Sequence, residues 1–202
     1  MDPEAGSGHL RKNLARGEVL LGVFFDQPGG KPRRQGQPSS HEAELLRSVL
    51  VTSIGALDAF LSDLVVELLP KLADLDPPAK VFDAVAKESP WTVLRAFYIG
   101  GSAAKTNIGG LVEAHFEGGV MHGGRAVRLV IDWCSLGLSN SDFDNTDFPT
   151  ALATLDEWTN LRRRIVHRGE LPRMKRADAA EVIDLVRSIG ETLNQRAIKV
   201  YP

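Results

Sequence analysis

Residues 39–70, which read SSHEAELLRSVLVTSIGALDAFLSDLVVELLP, decide the fold because they predict one long helix. Glu42 follows Ser39 by three residues, and this is the spacing of a capping box at a helix start. Apolar residues then recur every three or four positions, as they do on one face of a helix. They are Leu46, Val49, Leu50, Ile54, Leu57, Leu61, Leu64 and Leu68. We expect this helix to end near Pro70, because proline lacks the backbone N–H that continues a helix.

The rest of the chain repeats this period, and only 6% of its residues are aromatic, which favours helices over strands. Asp147, before a Phe-Pro pair, is expected to cap one later helix, and Asp178 with Glu181 is expected to open the last one. The predicted helices lie over residues 9–25, 79–87, 90–98, 125–136, 151–168 and 178–197. The sequence therefore predicts an all-α fold.

Two segments are rich in residues that interrupt helices. Prolines and glycines predict a flexible loop at about residues 27–39. Gly-Gly pairs predict short helices joined by turns over residues 100–124. Neither segment indicates a second domain, so we expect residues 1–202 to form a single helical domain.

Composition limits the class of protein. With 202 residues, 43% of them hydrophobic, the chain can fill one core. Its net charge of -2 lacks the basic excess of a protein that coats nucleic acid, so any such contact needs a local patch. The single cysteine, Cys134, cannot form a disulfide framework or a thiolate zinc site within one chain. Residues 19–25, the longest apolar stretch, are too few to span a membrane. We expect a cytoplasmic protein without membrane contact or cofactor.

The stretch RRRIVHRG at residues 162–169 carries the strongest indication of chemistry. Arg162 lies near the apolar stripe of its predicted helix, so it should face a packed partner helix that offers an anion or a carboxylate. His167 lies in the last turn before Gly169. Histidine moves protons near neutral pH, and arginine neutralises charge on phosphate oxygens. Together they suit attack of the RNA 2′-hydroxyl on its own phosphorus, which needs no metal.

This stretch resembles the R-polar-x-x-x-H motif of the HEPN superfamily of helical ribonucleases. Residues 53–65, SIGALDAFLSDLV, are also similar to the long second helix of its RiboL-PSP-HEPN branch. The resemblance covers two helices about ninety residues apart. It implies an α-helical bundle with a long second helix. It also implies a homodimer in which two motif helices form one RNA-cleaving cleft, and a biological role as a toxin or a bacterial defence effector with a possible antitoxin or defence-system partner.

The resemblance also implies roles for four residues. Arg162 would stabilise the phosphate, and His167 would act as the base or the acid. Arg163 occupies the motif's polar position, which is asparagine in many members. Asp58 matches an acidic position on the second helix, where it would orient Arg162 or His167, or would be an ordinary surface carboxylate.

Basic residues crowd around the motif and form a candidate RNA-binding patch. Besides Arg162 and Arg163, its members are Arg164, Arg168, Arg173, Lys175 and Arg176. The alternative interpretation of the patch is a solvated basic face. The alternative function is a catalytically inactive helical module that binds RNA or a protein partner.

A histidine pair and the single cysteine contain the other side chains with reactive or metal-binding chemistry. His115 and His122 are separated by glycines that interrupt a helix, which indicates exposed or capping roles and not a metal site. Cys134 follows Trp133 in an apolar helix with no neighbouring base. It is expected to be a small buried hydrophobic residue.

Overall fold

The computed structural model describes residues 5–22, 39–73, 75, 80–88, 110 and 122–202. Within these ranges the chain forms six α-helices and one short 3₁₀ helix at Asn140–Asp142, and it contains no strand. The α-helices are α1 (Ala5–Gly22), α2 (Ser40–Leu72), α3 (Lys80–Glu88), α4 (Gly123–Trp133), α5 (Ala151–Arg168) and α6 (Arg176–Val200). The all-α fold predicted from the sequence is confirmed.

Helix α2 is the centre of the core. Ser39 caps it as predicted: its N–H donates to Glu42 Oε2 at 2.6 Å, and the Glu42 N–H donates to Ser39 Oγ at 3.4 Å. All eight residues of the predicted apolar stripe are buried, and helices α1 and α6 pack against α2. By length and composition α2 is also long enough to cross a membrane, a property that it shares with core helices of globular proteins. Here 56% of its most apolar stretch of 18 residues is buried, and α1 and α6 pack against it.

The end of α2 differs from the prediction, because the helix passes through Pro70 and ends at Leu72. Proline removes only one backbone N–H donor. Pro70 lies in the last turn of α2, where few backbone hydrogen bonds of the helix follow it. The Ala73 N–H donates to the Leu69 carbonyl at 3.0 Å and closes the helix.

The starts of α5 and α6 also differ from the predictions. Thr150, and not Asp147, is the N-cap of α5, where Asp144 Oδ1 accepts the Ala151 N–H at 3.0 Å. Asp178 lies inside the first turn of α6, where its carboxylate accepts the Lys175 N–H at 2.7 Å. The sequence does not distinguish these positions, because an acidic residue near a proline or a glutamate fits several positions of a first turn.

Other boundaries shift by a few residues. Helix α1 begins at Ala5, earlier than the predicted residue 9, and α6 continues to Val200, beyond the predicted residue 197. Helix α4 ends at Trp133 and not at residue 136, because Ser135 and Gly137 adopt positive φ angles of 50° and 63°. Residues 151–168 match α5. The predicted loop at 27–39, apart from Ser39, the helix over 90–98, and most of the short helices over 100–124 lie outside the described residues.

Helix α5 has two unlike halves. Its fully buried residues, Ala151, Leu152 and Leu155, all lie in the first two turns. The second half has only partly buried apolar residues, namely Trp158, Leu161 and Ile165. Gly169 ends the helix as predicted, in the left-handed conformation with φ 63°, and its N–H donates to the Ile165 carbonyl at 3.2 Å.

Candidate functional site

An ion pair joins the two helices that carry the resemblance. Arg162 Nη1 on α5 donates to Asp58 Oδ2 on α2 at 3.1 Å. The two side chains are 24% and 19% exposed, so the pair is largely withdrawn from water. The sequence predicted that a carboxylate or an anion would face Arg162, and in the structure Asp58 faces it.

A third residue, His122, contacts the same carboxylate oxygen. The distance from His122 Nδ1 to Asp58 Oδ2 is 3.0 Å, and the histidine side chain is 43% exposed. Because an ionised carboxylate only accepts hydrogen bonds, Nδ1 is the donor. His122 is also the N-cap of α4, although its side chain makes no capping bond. Asp58, His122 and Arg162 are called the Asp58 cluster below.

Contacts between α4 and α5 hold His122 in this place. Asp156 Oδ1 on α5 accepts the Gly124 N–H at 2.8 Å, at the start of α4. Asp156 Oδ2 also accepts a bond from Arg128 Nη2 at 3.3 Å. A Cβ on Gly124 would lie 2.8 Å from the Leu152 carbonyl oxygen, so only glycine allows this approach. Helix α4 therefore packs closely against α5, the helix that carries Arg162.

Polar atoms near the Asp58 cluster are buried without a hydrogen-bond partner among the described residues. They are Asp58 Oδ1, Arg162 Nε and Thr159 Oγ1. Burial raises the pKa of Asp58 above its ordinary value, although the charges of His122 and Arg162 act in the opposite direction. Burial thus outweighs the two basic neighbours, and the charged form of the carboxylate is less stable here than in water.

His167 and Arg163 are not part of this ion pair within one chain. Both side chains are exposed, and His167 follows Arg162 by about 140° around the helix. Among the described residues, no hydrogen bond joins His167 to Arg162 or Asp58. The structure therefore brings together Asp58 and Arg162, but it does not bring His167 to them.

The predicted RNA-binding residues divide into two groups. Arg164 and Arg168 are exposed and lie 3.4 and 3.9 Å from Glu170, and Arg173 and Lys175 are also exposed. Arg176 instead contacts Glu42 of α2 at 3.4 Å, so it connects α6 to the core helix. The exposed group forms one basic stretch after the open half of α5.

Two apolar side chains are exposed beside the basic stretch. Val166 is 52% exposed on the last turn of α5, and Leu171 is 69% exposed just after it. They lie on either side of His167 and Gly169 in the sequence. We call Val166 and Leu171 the apolar pair.

Cys134 is buried, as the sequence predicted. Burial raises the pKa of its thiol to about 12, which leaves it protonated and unreactive at neutral pH. The Tyr201 hydroxyl donates to the Cys134 carbonyl at 2.7 Å. In the described ranges, no group of three or more histidine, cysteine, aspartate or glutamate side chains is arranged to hold a metal ion.

Sequence reasoning identified Arg162 and Asp58 but missed the part that His122 plays. It is followed by two glycines, and its contact with Asp58 spans 64 residues. No local pattern indicates that contact, because it depends on how α4 is seated on α5.

Comparisons with known proteins assign no family to the chain: no family model matches it, and no curated protein or solved structure does.

Proposed function

We propose that this protein is a metal-independent endoribonuclease of the HEPN type that acts as a cytoplasmic homodimer. The observation that carries the proposal is the Asp58–Arg162 pair between α2 and α5. It fixes a guanidinium on the helix whose last turn presents the exposed His167. A positioned arginine and an exposed histidine on one helix are the groups that cleavage of RNA by its own 2′-hydroxyl requires.

In the proposed reaction, the 2′-oxygen bonds to phosphorus and the bond from phosphorus to the 5′-oxygen breaks. Arg162 stabilises the negative charge that grows on the non-bridging oxygens. His167 transfers a proton, and Arg163 lies next to Arg162 to contact the phosphate. The products are a 2′,3′-cyclic phosphate and a 5′-hydroxyl, so no water or metal is consumed.

A second copy of the chain would complete the site. The exposed apolar pair lies beside His167, and burying it against another copy would be favourable. Two open halves of α5 would then face each other, so that the histidine of one copy approaches the arginine of the other. This arrangement would bring together two groups that no hydrogen bond joins within one chain, among the described residues.

The exposed basic stretch supports RNA as the substrate. Arg164, Arg168, Arg173 and Lys175 lie on or just after the last turn of α5, where they can contact phosphates on either side of the cleaved linkage. Arg176 contributes less directly, because it is engaged with Glu42. The resemblance extends the proposal to a toxin or a bacterial defence effector that a partner protein restrains.

The test is cleavage of single-stranded and structured RNA in EDTA by the wild type, Arg162→Ala and His167→Ala. We expect cyclic-phosphate ends from the wild type and a loss of about 10²–10⁴-fold in each variant. His41→Ala replaces another exposed histidine, and Arg187→Ala removes another ion-paired arginine, so both controls should cleave like the wild type.

Inert wild-type protein that still binds the RNA panel would contradict the proposal and favour the catalytically inactive binding module. Equal activity of the wild type and both motif variants would trace the cleavage to another site or to a contaminant.

A further inference from the structure

The Asp58 cluster contains a histidine whose geometry is that of a general base. His122 Nδ1 donates to Asp58 at 3.0 Å, while the side chain stays 43% exposed. Nε2 has no hydrogen-bond partner among the described residues. Among the described residues, the ring therefore has one nitrogen bonded to a carboxylate and the other without a partner, on a side chain that solvent reaches.

This arrangement has a chemical consequence. A carboxylate that accepts a hydrogen bond from Nδ1–H fixes the tautomer in which Nε2 carries the lone pair. It also stabilises the imidazolium that forms once Nε2 has taken a proton, which is the role of the aspartate behind a catalytic histidine. Asp58 supplies this contact through the same oxygen that holds Arg162 at 3.1 Å. One carboxylate thus positions both a base and a group that binds phosphate.

We propose that His122, positioned by Asp58, is the general base that takes the proton of the attacking 2′-hydroxyl. This inference rests on the proposed ribonuclease function and adds a residue outside the arginine–histidine motif. His122 Nε2 takes the proton as the 2′-oxygen bonds to phosphorus. The bond from phosphorus to the 5′-oxygen breaks, and His167 gives that oxygen its proton. Exchange with water then restores both histidines to their starting protonation states.

An RNA with sulfur in place of the bridging 5′-oxygen separates the base from the acid. A thiolate leaves without receiving a proton, so this substrate needs a base but no acid. The experiment compares normal and sulfur-substituted oligonucleotides, modified at the linkage that the wild type cuts best. We expect His122→Ala to lose about 10²–10⁴-fold on both substrates. His167→Ala should lose activity on the normal substrate only.

Two further variants separate proton transfer from a structural role of His122. His122→Gln can still donate a hydrogen bond to Asp58 but cannot take up a proton, so it should be as inactive as His122→Ala. Added imidazole should restore part of the activity of His122→Ala, because it can enter the space left by the ring and accept the proton. A variant that is inactive only because α4 has moved would not respond to imidazole.

The outcomes distinguish this inference from the function on which it rests. Wild-type protein that is inert on both substrates overturns the proposed function and this inference with it. Active wild type with equally active His122→Ala and His122→Gln overturns the inference alone. If sulfur substitution restores His122→Ala, the residue is the acid and not the base, which also overturns the inference as stated. His41→Ala serves as the matched histidine control throughout.

Discussion

At the scale of single residues, Asp58 connects two other parts of the fold through one carboxylate oxygen. Its Oδ2 accepts bonds from residues on two other elements, while its Oδ1 is buried without a partner among the described residues. The loss of water around a carboxylate disfavours its charged form, and neighbouring positive charges favour it. The balance between these two effects can be measured through the pH dependence of stability.

Because burial raises the pKa of Asp58 above 3.8, the folded protein binds this proton more tightly than the unfolded chain does. The contribution of Asp58 to stability is therefore fully present below the unfolded pKa and is lost as the pH rises through the folded pKa. We expect the free energy of unfolding of the wild type, minus that of Asp58→Asn, to fall as the pH rises above about 4, by at most ~1.4 kcal/mol per pH unit.

Urea denaturation followed by circular dichroism, between about pH 4 and pH 7, measures this difference. Subtracting the Asp58→Asn values removes the contribution of the other carboxylates. A difference that rises with pH would mean that the bonds from His122 and Arg162 outweigh burial.

The residues of the Asp58 cluster were predictable from sequence to different degrees. Arg162 lies next to an apolar stripe, so its need for a facing anion follows from helix geometry alone. Asp58 came from resemblance to a known second helix. His122 could not be found, because its contact with Asp58 depends on the packing of three helices.

At the scale of elements, two helical glycines differ in whether they tolerate a larger side chain. Gly124 lies where α4 contacts α5, and Gly55 lies in the middle of α2. Gly124→Ala would place a Cβ 2.8 Å from the Leu152 carbonyl oxygen. At Gly55, no atom of another described element lies within 4 Å of an added Cβ. We expect Gly124→Ala to lower the free energy of unfolding by about 1–3 kcal/mol. Gly55→Ala should raise it by about 0.5–1 kcal/mol, because alanine favours helix.

Urea denaturation of the two variants and the wild type tests this pair, and each variant controls for the other. A stable Gly124→Ala protein would show that α4 can move away from α5. Its RNA cleavage would then report whether His122 has moved with the helix.

Elements were more predictable than their ends. The long stripe of α2 predicted a buried helix because period and capping box agree, and both depend only on local sequence. Its end at Leu72 was missed, because a proline in the last turn costs less than one in the middle. Asp178 was misplaced because a carboxylate can serve either as a cap or within the first turn.

At the scale of the whole molecule, the apolar pair tests whether two copies meet at the motif helix. Val166→Asp and Leu171→Asp should each weaken a dimer by at least about tenfold, because a charge would replace buried apolar surface. RNA cleavage should fall with the dimer. Val19, an exposed valine on α1, provides the control: Val19→Asp should change neither property.

Sedimentation equilibrium over a range of protein concentrations gives the mass of each variant. Monomeric wild type that cleaves RNA would contradict the dimeric site and place the complete reaction within one chain. A dimer that Val19→Asp disrupts, but that Val166→Asp and Leu171→Asp leave intact, would move the interface to α1.

The two halves of α5 also have a consequence for how this protein can change over generations. The first half is committed to the core, whereas the second half has no fully buried side chain. Substitutions in the first half are therefore filtered by whether the chain folds. Substitutions in the second half are instead selected for their effect on what this exposed surface binds. A single helix can thus acquire new specificity at one end while selection keeps the other end constant.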